Sequence, residues 1–261
     1  MRWGVIASIT LLLLIGALIS LSHGLGAREP SYGHKTLTEW FGNATQGQSG
    51  LYEALRATGT NAYPVLIRML RKEDLPGVSA LASLLSGQSL IPVHYVPAEV
   101  RHSQAVYGIG ALGEHAKELL PEVVRAYQMR RSPSSQCAAA QIIAGIGPDA
   151  KAALPTLLKG LNGTNELVLS DTLYAILRVN MAAPEPALVV PALTNFLYNP
   201  STAVRIRAAD ALGFFGPAAK SALPHLLPLA NDPDFNLARY ARQALERIEP
   251  GMTLDGEPTP R

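Results

Sequence analysis

A glycine followed eight residues later by a proline recurs along the chain at a near-constant period, and no other feature restricts the possible folds as much. The copies are GEHAKELLP (Gly113 to Pro121), GPDAKAALP (Gly147 to Pro155) and GPAAKSALP (Gly216 to Pro224). APEPALVVP (Ala183 to Pro191) keeps the interval with alanine in the glycine place, and a shorter form, GTNAYP (Gly59 to Pro64), comes first. From Pro121 onward the successive prolines stand 34, 36 and 33 residues apart. A period of this length marks one supersecondary unit written in series.

A second column fixes the register. Eight residues before each glycine position stands an alanine, at Ala105, Ala139, Ala175 and Ala208, and Ala241 continues the series. Each lies in a helical pattern. In VRIRAADALGFFG, residues Val204, Ala208, Ala211, Leu212 and Phe215 recur at steps of three and four and make one apolar face. After each proline a second apolar pattern follows at two, three and six residues: Leu66, Ile67, Leu70; Val123, Val124, Tyr127; Leu157, Leu158, Leu161; Leu226, Leu227, Ala230. The fourth copy keeps Leu193 and Leu197 but has Thr194 between them. The unit is therefore helix, turn, helix. Glycine ends the first helix in a left-handed conformation and proline opens the second, where its missing N–H would be unpaired in any case. The residues between them, as in PDAKAAL, read as freely variable, since Asp149 becomes Ala218 in a later copy.

One such pair cannot bury its apolar faces alone, so the expected fold is an all-α α-solenoid of about five helix pairs and a terminal half repeat. The segments are an N-terminal cap 29–48, a first pair 49–72, an insertion 73–100, repeats 101–133, 134–165, 166–200 and 201–233, and a half repeat 234–250. The last has Glu249 at the glycine position, and Arg239, Arg242, Glu246 and Arg247 give it a polar outer face; the tail 251–261 reads as disordered. In the insertion, SALASLLSG reads as an additional helix and SLIPVHYVPAE as an extended loop. In the cap, Thr36 or Thr38 is the expected helix N-cap, with Leu37, Trp40 and Phe41 as apolar anchors.

The residues offer little chemistry. With 22 basic and 20 acidic residues, nothing calls for a nucleic-acid partner. The single Cys137 has no disulfide partner within the chain and reads as a small buried apolar residue. No phosphate loop, GxSxG elbow, HExxH pair or zinc spacing is present, so no catalytic, cofactor or metal residue and no small-molecule substrate is expected. The histidines, His94, His102, His115 and His225 among them, are scattered and read as surface residues. One column stands out four residues after the prolines: Arg68, Arg125 and Lys159, continued by Asn195 and Pro228. If the second helices line the concave side, these cations form a stripe for an acidic protein or peptide. Each also sits near a helix C-terminus, where the dipole favours a cation, and a solvated face is the preferred reading.

The N-terminus has its own signal. From Trp3 to Leu21 no charged residue occurs over 19 positions, about the length of a helix that crosses a bilayer core. Ala27 before Arg28 is an imperfect cleavage site. Residues 1–27 are thus expected to be a transmembrane anchor or signal peptide, with membrane contact through 3–21 if uncleaved. Arg2 on the leading flank keeps that end cytoplasmic and places the rest across the membrane.

VRIRAADALGFFGPAAKSALPHLLPLANDP (204–233) and SQCAAAQIIAGIGPDAKAALPTLLKGL (135–161) resemble bacterial HEAT-like repeats of the kind also found in phycobilin lyases. The leader, EPSYGHKTLTEWF, ALRATGTNAYPVLIRML and the insertion extend the likeness to anchored or secreted bacterial HEAT-repeat proteins. The resemblance implies an α-solenoid with a protein-binding role in the cell envelope, held at the inner membrane or secreted to the periplasm, and it brings no catalytic motif. The leading expectation is a non-catalytic protein–protein interaction scaffold. The alternatives are a lyase or chromophore-attachment factor and a self-associating structural component of the envelope.

Overall fold

The computed structural model describes residues 29–42, 48–86 and 95–251. The leader 1–27, His94 and the tail 252–261 lie outside the described residues.

The chain enters through a small hairpin, β1 (Ser31–Tyr32) antiparallel to β2 (Lys35–Thr36), which the all-α expectation did not include. Gly33 and His34 both have positive φ, 56° and 65°, as a tight two-residue hairpin turn requires. Thr36 then opens α1 (Leu37–Gly42): its N–H donates to the Glu39 carboxylate at 2.6 Å and its Oγ1 accepts from the Glu39 N–H at 3.3 Å. Of the two threonines it is Thr36 that caps. Leu37 and Phe41 are buried, and the half-buried Trp40 donates its Nε1–H to the Tyr32 carbonyl at 2.9 Å.

The repeated pairs follow as α2 (Gln48–Thr58) with α3 (Tyr63–Arg71), then α4 (Val78–Ser86) in the insertion, then α5 (Ala98–Ala111) with α6 (Leu120–Met129) and α7 (Pro133–Ile146) with α8 (Leu154–Gly160). They continue as α9 (Glu166–Val179) with α10 (Pro186–Asn195), α11 (Thr202–Phe214) with α12 (Leu223–Leu226), and a lone α13 (Phe235–Ile248). The insertion does form its additional helix.

At three joints, Gly113–Leu119, Gly147–Ala153 and Gly216–Ala222, the stretch between glycine and proline is a 3-10 turn rather than an indifferent loop. Gly147 and Gly216 have φ of 69° and 53°, conformations that a side chain resists. Three residues on, Ala116, Ala150 and Ala219 are buried, and four residues on stands a lysine that reaches the next repeat. Lys117 Nζ lies 3.7 Å from Asp149, Lys151 lies 2.9 Å from Glu185, and Lys220 lies 2.7 Å from Glu249. The turn residues are not freely variable: they carry a ladder of inter-repeat ion pairs, and Asp149 and Glu249 are acceptors in it.

The fourth joint departs from this scheme. Helix α9 ends at Asn180, which is fully buried; its side-chain amide donates to the Ile176 carbonyl at 2.8 Å and its Oδ1 accepts the Glu185 N–H at 3.2 Å. Asparagine thus closes the turn that glycine closes elsewhere, Ala183 lies exposed in the bend, and Pro186 opens α10 with Pro191 inside the helix. The alignment of Ala183 and Pro191 with the other joints is therefore corrected.

Helix starts give the true register. Ser132, Asn165, Ser201 and Asp234 are N-caps whose side chains accept the N–H of Ser135, Val168, Val204 and Leu237. Seven residues after each cap come Ala139, Thr172, Ala208 and Ala241, all fully buried. Thr172, not Ala175, occupies the alanine column in the fourth repeat; Ala175 is buried one turn later.

Small residues in this column let α5, α7, α9, α11 and α13 stack side by side as one layer, while the second helices form the other layer and touch one another less. The approach is close: a Cβ on Gly213 of α11 would come 2.9 Å from Ala244 Cα of α13. A single apolar core runs between the layers from Leu37 to Ile248. On α13, Arg239, Arg242, Glu246 and Arg247 stay exposed and finish the array.

Candidate functional site

The outward side of the first-helix layer carries an open groove of about 290 Å³ across α9, α11 and α13, lined by Ser170, Ala203, Ile206, Arg207, Asp210 and Tyr240. Its position follows from the N-caps: residues two, five, six and nine past Asn165, Ser201 and Asp234 are all exposed or partly exposed. In α9 and α11 the small Ser170 and Ala203 make the floor, and larger side chains make the walls. These walls are braced between repeats. Gln141 Nε2 donates to Asp171 at 2.9 Å, the Arg207 guanidinium stands 5.4 Å from the centre of the Tyr174 ring, and Arg247 lies 3.6 Å from Asp210. Arg239 covers the Tyr240 ring at 4.4 Å. The result is a row of aromatic faces and paired charges shared between neighbouring helices. Cys137 is half-buried on α7, where burial first, and then Asp171, push its thiol up to about 12.

The basic column lies on the other layer. Arg68, in α3, is ion-paired with Glu29, whereas Arg125 of α6 and Lys159 of α8 are exposed. They stand on successive second helices and take no part in the groove.

A third cluster, at the base of the insertion, was not visible in the sequence. Asp74 accepts the Tyr95 hydroxyl at 2.6 Å, the Ala98 N–H at 2.8 Å and Arg101 Nη2 at 2.7 Å, so one carboxylate ties the two ends of the inserted segment together. Burial works against the Asp74 charge, but these three donors outweigh it and hold the carboxyl below its ordinary range. Burial, then Asp74, pushes Tyr95 up to about 12. Beside this clasp His102 is 1 % exposed, which corrects its reading as a surface residue. Its Nδ1 is 2.7 Å from Ser134 Oγ and its Nε2 is 3.8 Å from Glu73, which also accepts the Ser132 hydroxyl at 2.8 Å. The order serine, histidine, carboxylate has the outline of a nucleophilic triad. Among the described residues the imidazole is enclosed, and the cluster joins α5, α7 and the base of the insertion through polar contacts. His115 and His225 are on the surface, paired with Glu118 at 3.1 Å and Tyr198 at 2.6 Å. Among the described residues no group of three His, Cys, Asp or Glu side chains is placed to hold a metal ion.

Residues 177–246 match the family model for HEAT repeats. Over this stretch the chain is similar to HEAT repeats, and it includes five of the six groove residues. No curated protein matches the chain. Among solved structures, the crystal structure of an engineered protein is 19 % identical, covers 81 % of this chain and 96 % of its own, and superposes with a TM-score of 0.47. The α-solenoid architecture of the chain is plain from its helix pairs and this family match. Among the described residues no helix is long and apolar enough to cross a membrane.

Proposed function

We propose that this protein is a non-catalytic scaffold that seats a segment of a protein partner along the outward face of its first helices. The observation that carries this reading is the braced groove over α9, α11 and α13, where Ile206 and Tyr240 offer apolar contact and Arg207 and Asp210 offer fixed charges of both signs. The partner segment this fits is amphipathic, with an apolar anchor to lie against Ile206 and Tyr240 and polar groups on either side. The groove holds no acid–base pair free for chemistry, since Asp210 is engaged by Arg247. We further propose that the body works outside the cytoplasm, tethered by the apolar run 3–21 or released after Ala27.

Photo-crosslinking from position 240 of the full chain in its native cells identifies the partner, and Ile206→Asp with Tyr174→Ala is expected to abolish the adduct. An adduct of undiminished yield in that variant, with the fold intact, overturns the groove as the binding site. Membrane fractionation with intact-mass measurement separates tether from release, and a mature product beginning at Arg28 removes the tether.

A further inference from the structure

The second-helix face near the N-terminus is strongly one-sided in charge. Along α3, α6 with the two residues after it, and α8 stand the cations Arg68, Arg71, Arg125, Arg130, Arg131 and Lys159; against them are Glu122 on α6, Glu29 paired with Arg68, and Glu73, which bonds Ser132 at the end of the loop. Backbone contacts gather them: Arg130 donates to the Lys159 carbonyl at 3.4 Å and Arg131 to the Arg71 carbonyl at 3.1 Å. Glu122 is taken up by Arg71, while Arg125, Arg130, Arg131 and Lys159 are exposed. The acidic joint residues Glu118 and Asp149 precede α6 and α8 and so lie at the far ends of these helices. Farther along the array the second helices α10 and α12 contain no Lys, Arg, Asp or Glu, so the patch is confined to one end.

That end is also where the chain arrives from its leader. Glu29, the first described residue, is ion-paired to Arg68 on α3. Only residues 22–28 separate it from the apolar run, and seven residues span at most about 25 Å fully extended. If the run crosses a membrane, the tether holds Arg68 close to the surface, and helix spacings of about 8–10 Å place Arg125 one helix and Lys159 two helices farther along the same face.

We infer that the face bearing Arg125, Arg130, Arg131 and Lys159, next to the Glu29-paired Arg68, docks on anionic phospholipid headgroups of the membrane from which the body hangs. This rests on the tethered reading proposed above. The exposed cations supply the attraction, which acts only within about one Debye length, roughly 8–10 Å, and the short tether supplies the proximity. With the second-helix face on the lipid, the groove on the opposite layer is turned outward to its partner.

The test uses the full chain in vesicles of phosphatidylcholine alone or mixed with phosphatidylglycerol. A donor dye sits at Gln128→Cys, in a Cys137→Ala background, or at Gln243→Cys on the other layer, and headgroup-labelled lipid is the acceptor. Flotation after alkaline carbonate reports the tether independently. Energy transfer from position 128 is expected to rise with phosphatidylglycerol, to fall back as salt is raised from about 0.1 to 0.5 M, and to exceed that from position 243. Each of Arg125→Glu, Arg130→Glu and Lys159→Glu is expected to weaken the response by roughly five-fold or more. Flotation without any dependence on anionic lipid overturns the docking and leaves the tether. Loss of flotation overturns the tether. A response to soluble polyglutamate but not to phosphatidylglycerol overturns the lipid in favour of an acidic protein.

Discussion

The Tyr127 hydroxyl meets the Thr172 hydroxyl at 2.6 Å in the interior of the solenoid, and the two residues belong to helices two repeats apart. Gly160 of α8 lies against the same ring and leaves just enough room: a Cβ there would stand 1.9 Å from the tyrosine oxygen and 2.7 Å from Cζ. Tyr127 is itself fully buried and cannot swing aside. Gly160→Ala is therefore expected to cost at least ~1–3 kcal/mol through overpacking, read as a lower urea midpoint at constant slope. An unchanged midpoint would mean that the ring is not held where the structure places it.

The same contact predicts a coupling. Tyr127→Phe leaves the fully buried Thr172 hydroxyl without its partner and is expected to cost ~1–3 kcal/mol. Adding Thr172→Val removes the stranded group at nearly constant shape, so the double variant is expected to lose less than the two single losses added together. A double-mutant cycle on urea unfolding measures this, and strict additivity contradicts the bond.

The joint lysines make a gentler claim. Lys151 reaches both Glu185 and the Ala183 carbonyl across the irregular fourth joint, yet the pair is partly exposed to solvent. Lys151→Met is expected to cost no more than ~1 kcal/mol and to matter less as NaCl is added. A loss that is larger and indifferent to salt would assign the lysine to packing rather than charge.

How much of this was legible in the sequence depends on whether a residue acts within its own repeat or across several. Gly147, Pro155, Leu157 and Leu161 act within one unit, so their spacing alone told what each does. The fourth joint misled because Asn180 does by side-chain hydrogen bonding what glycine does by conformational freedom, and a column of glycines cannot reveal that substitute. The cap series Ser132, Asn165, Ser201 and Asp234 was available from spacing and would have placed Thr172 correctly. The groove was one step further off, since Ser170, Ala203 and Tyr240 become neighbours only once those caps set the rotation of three helices. The clasp was out of reach. Asp74 and Arg101 are 27 positions apart with no periodic sibling, and only the fold brings them together.

The clasp and the buried His102 beside it make stability depend on pH in two separate windows. Burial, with Arg101 adding to it, depresses His102, while Glu73, Asp74 and the Lys72 carbonyl pull the other way without prevailing. As pH falls below about 6.5, the unfolded chain takes up a proton that folded His102 refuses, so stability declines until the lower folded pKa is passed. Asp74 is depressed too, so its contribution is complete above about 3.9 and disappears only as pH falls through its lower folded value. Between pH 7.5 and 5 the decline belongs to His102 and is expected not to exceed about 1.4 kcal/mol per pH unit. Urea midpoints of the wild type and of His102→Gln across this range give the test. The variant is expected to lose that part of the slope while keeping the fall below pH 4, and parallel curves from pH 7.5 to 5 would overturn the assignment to His102.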